Sequence, residues 1–146
     1  TECLFPSAGL TVTDLSNSSL IFYDGVCGFC NHSVNWILQR DKSGRFLLAP
    51  LQGSTARQLL APELRHTQSS VVLRHNGHLY THSAAVCRIL FLLGGFWWVC
   101  GALLWIIPSP LRDFGYRCVA KVRYRLFGKM DACRMPAPHE RARFLD

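Results

Sequence analysis

Apolar and polar positions divide the chain into short blocks separated by turn residues. Leu20-Ile21-Phe22-Tyr23 is a continuous apolar run, the pattern of a central strand buried on both faces. Asp24-Gly25 turns the chain, and a helical pattern follows over about residues 29–40. Val34, Ile37 and Leu38 share one helical face, Trp36 flanks it, and Asn35, Gln39 and Arg40 lie on the others. The helix is expected to end near residues 41–44. Residues 45–49 predict a second strand, stopped by Pro50. Residues 53–60 predict a short helix with Ser54 as its cap. Residues 70–74 predict a third strand, Asn76-Gly77 a hairpin turn, and residues 79–81 the returning strand. Ser83 is expected to cap a helix through Ala85, Val86, Ile89 and Leu90. The predicted order is β-α-β, then α, then β-β-α, an α/β class.

The pattern then changes. Residues 89–107, ILFLLGGFWWVCGALLWII, carry no charge and meet the length and polarity of a membrane span. Gly94-Gly95 breaks the run into two helices and Pro108 ends the second. The preceding helical period continues into Leu92 and Leu93, so part of the run belongs to the core. For Trp97, Trp98 and Trp105 core packing is the leading expectation. Partner docking and interfacial anchoring are the alternatives. Residues 111–127 form a long amphipathic pattern, and Leu111, Phe114, Cys118, Val122 and Leu126 are expected to pack on the core. Arg112, Arg117, Lys121, Arg123 and Arg125 follow the apolar run, as they do on the cytoplasmic side of membrane proteins. Solvated charge is the leading expectation for them. Residues 1–19 read as an arm, with Cys3 incidental. The expected division is an arm (1–19), a core (20–93) and a helical extension packed on it (94–146), one domain overall.

Composition narrows the class. At 146 residues the chain is long enough for one sizeable core, and 49% hydrophobic with 17% charged residues excludes a disordered chain. A formal charge of +7 favours anionic partners or simply aids solubility. No aromatic platform or nucleic-acid motif accompanies the charge, so nucleic acid is not an expected partner. Seven cysteines, an odd number at irregular spacing, argue against a secreted disulfide framework. One working pair in a reducing compartment, cytoplasm or organelle interior, fits better, with peripheral membrane association as an addition. No basic region followed by an apolar run opens the chain, so no signal peptide is expected.

The chemistry concentrates at Asp24-Gly25-Val26-Cys27-Gly28-Phe29-Cys30-Asn31. Strand, tight loop and helix with a CxxC at the join is the layout of a dithiol site. Cys27 is expected to sit exposed ahead of the helix, its thiolate favoured by the helix N-terminus. Cys30, one turn in and partly buried, is placed to resolve a mixed disulfide. Asp24 holds the loop or takes a proton during exchange. His32 is a solvent-facing side chain by default, an activator by exception. Asn31 stands where a haem attachment site needs His, which excludes haem. Cys87, Cys100 and Cys118 lie in apolar helical settings and read as buried inert thiols. Cys133, in a polar loop beside Arg134, is a third redox thiol or a structural residue. No second CxxC completes a zinc site, so no metal and no cofactor are expected.

DGVCGFCN resembles the DCC family of thiol–disulfide oxidoreductases, within the thioredoxin-like superfamily. The resemblance extends through FLLAPLQ at 46–52, the strand at 70–73, Thr81-x-Ser83-x-Ala85, RYRLFG at 123–128 and Cys133-x-x-Pro136. It covers roughly residue 19 to the C-terminus. It implies a four-stranded mixed sheet flanked by helices and includes Asp24 and Cys133 in the site. Gly28, Phe29, Ser69 and Ser70 are the expected substrate contacts. The position facing the CxxC pair, a cis-proline in thioredoxins, falls near Ser69, so substrate handling is expected to differ here.

The leading expectation is therefore an oxidoreductase: Cys27 attacks a disulfide of a protein or small thiol and Cys30 resolves it. Gly28-Phe29 leaves reductase, oxidase and isomerase open. The alternatives are a scaffold that docks a partner or membrane through the Trp-rich hairpin, and a metal or iron–sulfur protein.

Overall fold

In the computed structural model the apolar run becomes the strand on which the fold is laid. Residues 18–25, 27–66, 71–128, 138–139 and 141–145 are described. Strand β1 (Ser19–Tyr23) is buried along its whole length. It pairs in parallel with β2 (Phe46–Pro50), Ser19 opposite Phe46 and Tyr23 opposite Pro50. It pairs antiparallel with β3 (Val72–His75), which continues through the Asn76-Gly77 turn into β4 (His78–Thr81). The order is β2-β1-β3-β4, a mixed four-stranded sheet. The crossover from β1 to β2 is helix α1 (Gly28–Arg40). Two short helices follow β2, α2 (Ser54–Leu59) and α3 (Pro62–His66). Among the described residues three α-helices follow the sheet: α4 (His82–Leu93), α5 (Phe96–Ile106) and α6 (Ser109–Phe127). The α/β class and the helical extension beyond a thioredoxin-like sheet are as expected.

Side chains of β1 alternate between two cores, as the period of two requires. Ile21 and Tyr23 face Val34 and Ile37 of α1 and Ala85 and Ile89 of α4. Leu20 and Phe22 face Ala56, Leu60 and Leu145 on the other side. Each of these large side chains contributes about 1.5–3 kcal/mol by leaving water. Asp41 ties the end of α1 to the sheet. Its carboxylate accepts the backbone N–H groups of Arg45 (3.1 Å) and Phe46 (2.9 Å) and pairs with Arg143. Phe144 is fully buried beside Leu48, so the C-terminal segment closes the edge of β2.

Element ends differ from expectation in small, explicable ways. Gly53, not Ser54, occupies the cap of α2. Ser83 does not cap α4: Thr81 precedes that helix, and the Ser83 hydroxyl is engaged by Arg112 (2.8 Å) and Asp113. Pro50 ends β2 from within, where its missing N–H costs no central ladder bond. Gly94 and Gly95 both take positive φ (71° and 57°) and fold α5 back on α4, as the sequence predicts. Gly101 lets the two helices touch, since a Cβ there would lie 3.1 Å from the Leu90 Cβ. Among the described residues no helix is long and apolar enough to cross a membrane.

The largest correction concerns α6. Leu111, Phe114, Cys118, Val122 and Leu126 do not pack on the core; all are exposed, Phe114 at 65%. The inward face is polar. Arg112 and Asp113 hold Ser83, Tyr116 accepts the Val71 backbone N–H at 2.9 Å, and Arg123 pairs with Asp24. A buried carboxylate without a cation is more costly than an exposed leucine stripe, so pairing sets the rotation. The Trp cluster divides similarly. Trp97 is half-buried, its ring centroid 4.6 Å from that of Trp36. Trp98 and Trp105, at 53% and 51% exposure, contradict core packing and lie against Phe91 at the surface. Cys87 is buried as expected and Cys100 half-buried, whereas Cys118 is exposed with the outer face of α6.

Candidate dithiol site

The site is built where β1 ends and α1 begins. Cys27 is the N-cap of α1, and its sulfur accepts the Cys30 backbone N–H at 3.4 Å. The Cys27 N–H donates to the Asp24 carbonyl at 3.3 Å, which folds the loop beneath the helix. Asn31 locks the same loop. Its amide donates to the carbonyls of Gly25 and Cys27, both at 3.0 Å. Gln52 reaches in from the end of β2, donating to Asp24 Oδ1 at 2.8 Å and accepting the Gly25 N–H at 3.2 Å.

Helix α6 closes the site from above. Arg123 Nη1 lies 3.0 Å from Cys30 Sγ and donates to it. Nη2 of the same guanidinium is 3.7 Å from Asp24 Oδ2, and the two side chains are only 4% and 1% exposed. The Gly28 N–H donates to the Gly128 carbonyl at 3.4 Å, so the end of α6 lies across the first turn of α1. The expected exposure of Cys27 is overturned: it is fully buried (0%). Cys30 is half-buried, as expected.

Electrostatics separate the two sulfurs. Burial pushes the Cys30 thiol up from 9.0 to about 12. Arg123 opposes the rise, while nearby Cys27 and Asp24 add to it. Burial likewise raises Tyr116, which sits on the inner face of α6. Among the described residues no three His, Cys, Asp or Glu side chains cluster as metal ligands would.

The structure brings Asp24, Cys27 and Cys30 together, with Gly28 and Phe29 in the first turn beside them. His32 is exposed. Ser69, Ser70 and Cys133 lie outside the described residues. Three site residues were not assigned there from the sequence: Asn31, Gln52 and Arg123. In the sequence Asn31 stands in the DGVCGFCN motif and in place of a haem-site His, and Arg123 in the RYRLFG landmark and among several basic residues, neither with a role at the site. The signal for Arg123 was present, since a carboxylate placed in an apolar join calls for a cation. The helix carries five cations, two of them within the RYRLFG landmark, and only the fold selects Arg123 as the partner of Asp24.

Comparison with known proteins agrees with this geometry. The DCC1-like thiol-disulfide oxidoreductase profile matches residues 21–129, spanning β1 through the end of α6. An uncharacterized protein of Bacillus subtilis, YuxK, is 36% identical over 138 residues, covering 93% of this chain and 99% of its own. A chloroplastic DCC family protein of Arabidopsis thaliana is 32% identical over 118 residues, covering 80% of this chain and 69% of its own. No solved structure matches. With the motif, the sheet and the matched span in agreement, the chain belongs to the DCC1-like thiol-disulfide oxidoreductase family.

Proposed function

We propose that this protein exchanges disulfides through Cys27 and Cys30, with Cys27 as nucleophile and Cys30 as resolving thiol. The observation that carries the assignment is the position of Cys27 Sγ at the N-terminus of a 13-residue helix, receiving the Cys30 N–H. The Cys30 N–H and the positive end of the helix dipole are both directed at this sulfur. Cys30, one turn deeper, keeps its proton.

The Cys27 thiolate attacks one sulfur of a disulfide carried by a protein or small thiol. A mixed disulfide forms and the other sulfur leaves as a thiolate, which takes up a proton. Cys27 is then neutral, and its share in raising the Cys30 pKa vanishes. Arg123 is left favouring the Cys30 thiolate, and the Asp24 carboxylate beside it is placed to relay the proton. Cys30 attacks Cys27 Sγ, closes the intramolecular disulfide and releases the second substrate thiolate. Because Cys27 is fully buried, its surroundings must open before a disulfide reaches it.

The test is redox titration in glutathione buffers, with alkylation and peptide mass mapping. Cys27 and Cys30 should interconvert between dithiol and disulfide. Cys27→Ser should reduce exchange to background. Cys30→Ser should trap a mixed disulfide on Cys27. A pair that never closes would sink the mechanism, and a mixed disulfide trapped on Cys30 in Cys27→Ser would reverse the roles.

A second function is favoured by the outward face of the hairpin. Phe96, Trp98, Leu103, Trp105 and Ile106 are exposed together on α5, and α6 adds exposed Arg117, Lys121 and Arg125 beside its own apolar stripe. The one acid of that helix, Asp113, is turned inward onto Ser83. Apolar side chains bordered by cations that meet no acid among the described residues suit an anionic bilayer surface, whereas a second copy would bring like charges together. Sedimentation with vesicles decides it: binding to anionic but not neutral vesicles is expected, and equal absence from both would end this reading.

A further inference from the structure

Between α1, α4, α5 and α6 lies a half-open cavity of about 940 Å³. Its size matches the upper range of small-molecule sites. Val34, Ile37, Ile89, Leu104 and Val119 give it an apolar wall. Trp36 and Trp97, stacked edge to face, line it as well. Cys30 and Arg123 face the same cavity, so a thiol and a cation stand side by side in a largely apolar wall that Ser83, Arg112 and Tyr116 also join. Ile107 and Leu111 line it too, and both are exposed on the outer apolar face. The cavity is therefore continuous with the face that suits a bilayer.

A water-soluble disulfide gains nothing from such a wall. An apolar ligand does, and one that ends at Cys30 meets a pair able to give up two electrons. We propose that the cavity seats a lipophilic quinone, which accepts electrons from the Cys27–Cys30 dithiol. One S–S bond forms, two electrons and two protons leave the thiols, and the quinone departs as hydroquinone. Arg123 faces the negative charge that develops on the quinone oxygen. This inference rests on the dithiol chemistry proposed above.

The experiment uses decylubiquinone, whose fully substituted ring resists direct thiol addition. The reduced, full-length protein is mixed anaerobically with it, and separately with glutathione disulfide. Hydroquinone is expected to form in equal amount to the disulfide, with a rate that saturates in quinone. Binding is read independently in a Cys27→Ser/Cys30→Ser variant, as saturable quenching of the cavity tryptophans. Gly115 lines the cavity, and a Cβ there meets no atom within 4 Å. Gly115→Phe should weaken quinone binding by roughly tenfold or more, since close-packed interiors do not hold two groups in one space. A long-chain alcohol should compete with the quinone in the unmodified protein, whatever the variant's stability. If glutathione disulfide oxidises the pair and the quinone does not, this inference fails and disulfide exchange stands. Oxidation by neither overturns both. Saturable quenching without electron transfer marks a lipid-tail site and also overturns the inference, as does quinone reduction that the alcohol leaves unchanged.

Discussion

The sheet and helix α6 obey opposite rules. Around β1 apolar side chains point inward and polar ones outward, and both faces of the strand are filled. In α6 the residues that reach the sheet and the dithiol are polar, while an apolar stripe is left outward beside Arg117, Lys121 and Arg125. The sheet is held by burial of area, α6 by specific polar contacts reaching down to Ser83, Val71, Cys30 and Asp24. The difference shows that an amphipathic helix does not announce which face it will bury. When the underlying fold presents a buried carboxylate, a matching cation outweighs an apolar stripe, provided the stripe can be left for a membrane or partner.

The comparison is broken most severely at its shared point. Arg123→Leu leaves Asp24 buried without its cation and should destabilise by about 3–5 kcal/mol. Phe22→Ala, in the sheet core, should cost a similar ~3–5 kcal/mol through a cavity. Denaturant titration of both, with the Asp24→Leu/Arg123→Leu double variant, separates the mechanisms. The double change should recover much of the Arg123 loss, because a charge pair can be replaced by apolar groups and a cavity cannot. Failure of that recovery would mean that Arg123 acts by packing alone.

A smaller effect is expected with pH. The folded Cys30 pKa lies near 12, above its ordinary 9.0. Its contribution is therefore fully present below about pH 9 and is lost as pH rises toward 12. Thermal melting should show a steeper alkaline loss in the parent than in Cys30→Ser. Identical alkaline limbs would remove burial of Cys30 as a determinant.

The smallest change should come from the outer face. Phe114→Ser should shift stability by no more than about 0.5 kcal/mol, as exposed positions do, while reducing vesicle binding. A loss comparable to Phe22→Ala would show that the stripe is packed after all.

Much of the fold was legible in advance. Leu20-Ile21-Phe22-Tyr23 could only be a central strand, and Asn76-Gly77 and Gly94-Gly95 punctuate the chain as their backbone freedom requires. The dithiol was legible because strand, loop and helix are neighbours in sequence. Arg123, Gln52 and Asn31 were not, since their roles depend on partners that only folding brings near. The covering of Cys27 escaped for the same reason. The depth of a side chain is set by what the fold packs around it.

By itself the sequence determined everything local: the strand period, the turns, the helix on which Cys27 is the cap, and the CxxC spacing. Only the tertiary structure decided which face of α6 turns inward, which cation meets Asp24, how deeply each sulfur is buried, and that a cavity opens against Cys30. Local preferences are summed over neighbouring residues. Burial and charge pairing are settled between distant ones, where a single carboxylate can turn a whole helix.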